Sequence, residues 1–252
     1  MRASRVRYLE QYLKILGYNQ ALKALDLVVN VMSAKNGYKR HDGSNYYYHL
    51  VDATQDLLNH GVRDEITITA CLLHDFVEDV EWATIGYIES EYGEEVAIVV
   101  ELVTKKKHVD YKNPVNMNIY LGRIIQNWRA SLIKTADRKH NFSTLRHATR
   151  EKKLRQAKET ETLFIPFFKE CRKLYPRYAD YFFSAKTAIE PHLWEIKERY
   201  AEVEELEKKL QEFEALKLKA TLAYEGWSGS YDVFNPMMNL KAELNNLGVK
   251  DI

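Results

Sequence analysis

Glycine and proline are scarce in this chain, 10 and 5 among 252 residues. No run of strict apolar–polar alternation is long enough to mark a strand. Apolar residues recur instead at three- and four-residue spacing, which predicts an all-helical protein. Cysteine is nearly absent: Cys71 and Cys171 lie far apart in apolar helical contexts. They read as small core residues of a reducing compartment, the cytosol by default, and not as a disulfide. No apolar run approaches the ~20 residues needed to span a bilayer. The basic start Met1-Arg-Ala-Ser-Arg-Val-Arg7 precedes neither an apolar stretch nor a small-residue cleavage site, so no membrane association is expected. Neither sign of charge dominates, with 37 Lys+Arg against 36 Asp+Glu. That argues against nucleic-acid binding through bulk charge and leaves room for a local basic pocket that takes phosphates.

Stop signals divide the chain into helices. Helices are predicted over Ser4–Leu16, Asn19–Lys35, Tyr46–His60, Asp64–Asp79, Thr84–Tyr92 and Glu94–Thr104, with glycines 17, 37, 61 and 93 as punctuation. A polar, basic loop follows at 105–114, then helices over Val115–Gln126, Ala130–Thr149 and Glu151–Leu174. From Ala188 an apolar stripe through Ile189, Leu193, Ile196, Tyr200, Val203, Leu206, Leu210 and Phe213 runs between charged flanks. It predicts a helix of roughly 35 residues. Two readings of that helix stay open, a strap across the helical body or a protruding helix for a second copy or partner. An aromatic tail after Gly226 and a short helix near Met237–Leu247 complete the chain. The division is residues 1–187 as one domain and 188–252 as an appended long helix and tail.

The chemistry concentrates in Ala70-Cys-Leu-Leu-His-Asp-Phe-Val-Glu-Asp79. At 100° per residue, His74, Asp75, Glu78 and Asp79 fall within a polar arc roughly 140° wide on a continuous helix. Leu72, Leu73, Phe76, Val77 and Val80 cover the other side. Three acids and an imidazole in an apolar segment repel and desolvate one another unless a cation joins them. A metal site is the economical reading, and it needs ligands from other helices.

Two places offer them. His49 follows three tyrosines at the start of a helix, where a histidine taken alone is more often a core or surface residue. Asp137 sits mid-helix, where an acid usually faces solvent, but Leu132, Ile133 and Ala136 mark a helix buried on one side. Asn141 shares its face one turn later. Two imidazoles and two carboxylates suit Mn, Fe, Co or Zn better than Ca or Mg. Glu78 and Asp79, one turn beyond the ligand pair, would orient or deprotonate a metal-bound water, or steer the ligating histidine; residue types alone leave both roles open.

His49, His74-Asp75 and Asp137, in that order, resemble the HD phosphohydrolase superfamily. The match is closest to the hydrolase domain of RelA/SpoT-type alarmone enzymes and their small single-domain relatives. Leu72-Leu-His-Asp-Phe-Val-Glu-Asp79 resembles the branch's LLHDxxED segment. Tyr92-Gly-Glu-Glu-Val-Ala97 with Val103-Thr-Lys105 resembles its FGxxVA…VTK stretch, and Lys134-Thr-Ala-Asp-Arg-Lys-His-Asn141 with Thr144-Leu145 its KxADRxHNxxTL segment. Gly37-Tyr-Lys-Arg40 supplies the arginine nine residues before the first ligand histidine. The resemblance covers roughly residues 20–170.

The resemblance implies an all-α HD-domain helical bundle and a Mn²⁺-dependent hydrolase that removes the 3′-pyrophosphate of (p)ppGpp or a related purine alarmone. It carries the metal ligands onto His49, His74, Asp75 and Asp137, and the catalytic pair onto Glu78 and Asp79. Substrate contacts fall on Arg40, whose planar cation suits a purine face, on His41, and on Asn141. His41 stands where the family usually has serine or lysine, Leu50 where it has proline, and the Met-Arg pair common after the asparagine is missing. No synthetase, TGS or ACT segment is present. A housekeeping enzyme and an antidote to an alarmone-synthesising toxin fit equally. The alternatives are an HD enzyme of other specificity, such as a nucleotidase or a phosphatase of NADPH or nucleoside triphosphates, and an interaction protein whose long helix joins a homo-oligomer.

Overall fold

The computed structural model describes residues 3–40, 42–225, 239 and 241–242. Among them all regular structure is helical, with one isolated antiparallel bridge between Lys39 and Asn45. The helices are α1 (Ser4–Leu16), α2 (Asn19–Val31), α3 (Tyr47–Asn59), α4 (Glu65–Leu73), α5 (Phe76–Asp79) and α6 (Ile85–Tyr92). They continue with α7 (Glu94–Val103), α8 (Pro114–Ile124), α9 (Trp128–Ser143), α10 (Arg150–Glu159), α11 (Ile165–Leu174) and α12 (Ala179–Glu225).

The helix α4 is the hub. Every residue from Thr67 to Leu73 is buried, and α4 packs on α2, α3, α7 and α9. A helix that is apolar all round has no solvent face to offer and belongs at the centre. Its start is fixed by Asp64, which accepts from the Thr67 amide at 2.9 Å. Against it, α3 and α9 pack on each other. The three together bring the centre of the molecule to one line of polar side chains.

The predicted helix over 64–79 is in fact broken after Leu73. His74 Nδ1 bonds the Cys71 carbonyl at 2.7 Å, the acceptor that a continuing ladder would give to the Asp75 amide. Asp75 then adopts φ −100°, ψ −2°, and the chain restarts when the Asp79 amide reaches the Asp75 carbonyl at 2.9 Å. The four polar residues therefore do not share one helical arc.

Other boundaries shift for equally local reasons. The helix α2 stops at Val31, four residues before the predicted Lys35, because the Asn36 side chain donates to the Asn30 and Val31 carbonyls at 2.7 and 3.0 Å. The predicted helix 130–149 ends at Ser143, followed by a 3₁₀ turn at Leu145–His147. The run 151–174 is interrupted by a π-turn at Thr160–Phe164. There the buried Arg138 guanidinium inserts, bonding Gln156 and Glu159 and lying 3.6 Å from the Phe164 ring centre.

The long helix starts at Ala179, nine residues before the predicted Ala188, and passes through Pro191 with the loss of one ladder bond. The chain divides into two compact units, Met1–Leu193 and Trp194–Ile252. In the second, the described part is helical to Glu225, with Lys209 pairing Glu205 at 3.3 Å. The predicted aromatic tail and most of the short helix near Met237–Leu247 lie outside the described residues, as does His41. Cys71 and Cys171 are buried free thiols.

Candidate metal centre and active site

Four side chains from three places meet at one point. His49 comes from the first turn of α3, His74 and Asp75 from the break after α4, and Asp137 from the middle of α9. His49 Nε2 lies 3.2 Å from His74 Nε2, 3.5 Å from Asp75 Oδ2 and 3.3 Å from Asp137 Oδ1. His74 Nε2 lies 3.2 Å from Asp75 Oδ2. His49, His74 and Asp75 form a group able to hold a metal ion, and Asp137 Oδ1 closes a fourth side. The donor set is two nitrogens and two oxygens, suited to a divalent transition cation.

The outer contacts of these residues fit that use. His74 Nδ1–H donates to the Cys71 carbonyl, so its Nε2 lone pair faces the cluster. Tyr46 donates to Asp75 Oδ2 at 2.8 Å, and Asn141 donates to Asp137 Oδ1 at 2.5 Å. Burial opposes charge on His74, but the neighbouring Asp75 and Asp137 carboxylates hold its imidazole well above the usual range. Burial likewise opposes charge on Asp75 and Asp137, yet His74 and Lys134 respectively hold them well below it. One buried and one half-buried carboxylate thus need cationic company, which a divalent ion would supply in place of the imidazole proton.

The other sequence-predicted residues separate. Glu78 accepts from the Lys105 amide at 3.0 Å and so ties α5 to the basic loop. Asp79 stands beside Tyr46 and Asp75; desolvation and the Asp75 charge push its carboxyl up to about 6, the range of an acid–base group near neutrality. Arg40 and Asn141 come together: Arg40 Nη2 donates to Asn141 Oδ1 at 3.2 Å and to Thr144 Oγ1 at 2.9 Å. Its guanidinium lies 5.7 Å from the Tyr46 ring centre.

Three cavities lie beside the cluster: one of about 290 Å³ is lined by His49, Asp52, His140 and Arg40, and two others share Asn141. Of those two, one, of about 320 Å³, is lined by Arg40, Tyr46, Thr144 and Lys152. The other, of about 300 Å³, holds Asp137 among Lys105, Lys112, Lys134 and Arg155. Sequence reasoning missed Lys134, Tyr46, His140 and Asp52. Lys134 and His140 had a local signal, each three residues from Asp137 in the same helix and each a fixed letter of the KxADRxHN segment; Tyr46 and Asp52 meet the site across folds of the chain.

The HD-domain family model matches residues 24–170, which contain every residue placed at the cluster. The chain belongs to the HD-domain family. A relative from Brucella ovis, GTP pyrophosphokinase rsh, is 36% identical over 143 residues, 55% of this chain and 19% of its own length. A GTP pyrophosphokinase from Streptomyces coelicolor is 33% identical over 133 residues, 52% of this chain and 16% of its own. The chain thus spans less than a fifth of the length of these curated relatives. Among solved structures, one described as "A metazoan ortholog of SpoT hydrolyzes ppGpp and plays a role in starvation responses" aligns at TM-score 0.45 with 20% identity, covering 79% of this chain and 97% of that one. Among the described residues no helix is long and apolar enough to cross a membrane.

Proposed function

We propose that the chain is a Mn²⁺-dependent hydrolase that removes the 3′-pyrophosphate from (p)ppGpp or its adenine counterpart. The observation that carries this reading is the His49, His74, Asp75 and Asp137 cluster beside cavities of different character. His49, His74, Asp75 and Asp137 would hold the cation. Bound there, it would lower the pKa of a water and stabilise negative charge on phosphorus.

The protein's own groups account for the rest. Arg40, backed by Tyr46, offers a planar cation to a purine face, and Asn141 offers its amide between the two cavities that share it. Lys105, Lys112 and Arg155 line the cavity that holds Asp137 and suit a pyrophosphate. Asp79 is the better of the two acids for moving a proton, because the Glu78 carboxylate is already engaged by the Lys105 amide. The printed names of the curated relatives, GTP pyrophosphokinases, favour a guanine nucleotide and pyrophosphate chemistry. A cytoplasmic location is part of the same proposal, and both a housekeeping role and an antidote role against an alarmone synthetase are compatible with it.

The test is product analysis with Mn²⁺ and 3′-pyrophosphorylated guanosine and adenosine nucleotides. Release of pyrophosphate from either is expected. Turnover of neither sinks the reading. Release of orthophosphate from NADPH or nucleoside triphosphates would instead select an HD enzyme of other specificity.

A further inference from the structure

Behind the cluster, on the face of His49 away from Asp137, lies a row of polar groups that the proposed reaction does not use. His140 Nδ1 is 2.8 Å from His49 Nδ1, and the two rings lie 4.7 Å apart at 60°. His140 Nε2 is 3.5 Å from Asp52 Oδ2. Asp52 in turn accepts from Arg5 Nη1 at 2.5 Å. The row therefore runs from α1 through α3 and α9 to the buried imidazole at the centre.

Two Nδ1 atoms at 2.8 Å share a single hydrogen, and two arrangements are conceivable. If His140 Nδ1 carried it, the His140 Nε2 lone pair would face the Asp52 carboxylate, and His49 would place an N–H among the other ligands. If His49 Nδ1 carries it, His140 Nδ1 accepts and its Nε2–H points to Asp52 Oδ2. His49 Nε2 then presents a lone pair toward Asp75 and Asp137. Only the second arrangement gives the Asp52 carboxylate a donor and leaves His49 Nε2 open to a metal ion.

We infer that His140, oriented by Asp52, is a positioning residue that fixes the tautomer of His49 so that its Nε2 is ready for a metal ion. His74 reaches the same state by another route, its Nδ1–H on the Cys71 carbonyl. The two histidines of the cluster are thus held by different partners, one by backbone and one by a side chain. This inference rests on the metal-site reading above, and the difference is what makes it testable: a side-chain partner can be replaced.

The experiment combines imidazole nitrogen–proton NMR on the metal-free protein with Mn²⁺ affinity by electron paramagnetic resonance. In the wild type His49 is expected as the Nδ1–H tautomer. His140→Leu, which removes the acceptor, should shift His49 toward Nε2–H and weaken Mn²⁺ binding about 10–100-fold, the usual range for a lost outer partner of a ligand. His140→Asn, whose Oδ1 still accepts near the Nδ1 position, should keep the tautomer and bind within about threefold of wild type. Should His140→Leu fail to fold, the wild-type tautomer and His140→Asn still decide. A His49 Nε2–H tautomer in the wild type overturns the inference, as does equal Mn²⁺ affinity in wild type and folded His140→Leu. If the wild type binds no Mn²⁺, the metal reading fails separately, while the tautomer spectra still test the role of His140.

Discussion

Lys134 Nζ lies 2.6 Å from Asp137 Oδ2, with both side chains nearly out of solvent. One turn of α9 thus carries a buried cation and the carboxylate that stands against the His49, His74 and Asp75 group. Asp137 Oδ2 takes Lys134, and Oδ1, which accepts from Asn141, faces His49. Removing one partner of a buried pair strands the other, at a cost of about 3–5 kcal/mol. Lys134→Met should lower the melting temperature of the metal-free protein by about 6–20 °C. Added Mn²⁺ should recover more of that loss than it adds to the wild type, because the cation takes over the stranded charge. Thermal denaturation with and without Mn²⁺ checks this; an equal gain in both proteins would count against the coupling.

The cluster itself predicts a metal-linked stability. A ligand present at 100 times its Kd stabilises the native state by about 2.7 kcal/mol, a rise on the order of 5–10 °C for a chain of this size. Asp75→Asn removes one charged donor from the group with His49 and His74. It should weaken Mn²⁺ binding by more than about 100-fold, beyond the range seen for outer partners, and abolish both the thermal gain and turnover. A chelator should return the wild type to the melting point of the variant's metal-free curve, within the effect of the substitution itself.

Much of this was legible beforehand, and the missing part has a common cause. The all-helical architecture is written in the spacing of apolar residues, and α1 runs from Ser4 to Leu16 as its pattern predicts. His74 and Asp75 stand out because polar residues in an apolar run are costly without a partner. The helix break that carries them was not legible, because it depends on a ring nitrogen taking the Cys71 carbonyl. Nor was the pairing of His49 with His140, which are 91 residues apart. Arg138 hid in the same way: a charge in a helix looks solvated until Gln156, Glu159 and the Phe164 ring close round it. Periodicity reports which face is buried; it carries no record of what a polar side chain meets across the fold.

Arg40 gives a prediction about binding without chemistry. Its guanidinium is held between Asn141, Thr144 and the Tyr46 ring, away from the ligand atoms. If it serves a purine face, Arg40→Ala removes an interaction present equally in ground and transition states. KM should rise about 2–30-fold, the span of a cation–π contact worth about 0.5–2 kcal/mol, with kcat within about threefold. Arg40→Lys should not restore KM, since a point charge replaces a plane. Steady-state kinetics on the turned-over nucleotide read this directly, and an unchanged KM would remove Arg40 from the substrate site.

A last prediction concerns acid stability, at a distance from the metal. Asp64 caps α4 through the Thr67 amide and also accepts from Arg129 Nε at 2.9 Å and Nη2 at 3.3 Å. Burial would raise its pKa, but the Arg129 and Thr67 hydrogen bonds outweigh it and hold the carboxyl below the usual range. A carboxyl lowered in the folded state contributes stability above its unfolded value of about 3.9. That contribution disappears as pH falls through the lower, folded value. Asp64→Asn keeps one oxygen for the cap but loses the charge facing Arg129 and turns the acceptor of Arg129 Nη2 into a donor. Because the pair is partly solvated, the cost at pH 7 should be about 1 kcal/mol, or roughly 2–4 °C, and should shrink as pH falls from about 3.9 toward 3. Asp64→Ala also loses the cap and should cost a further ~0.5–2 kcal/mol at both pH values. Melting curves from pH 3 to pH 7 separate the two; a deficit in Asp64→Asn that stays constant with pH would show that the Arg129 pair contributes nothing to the acid limb.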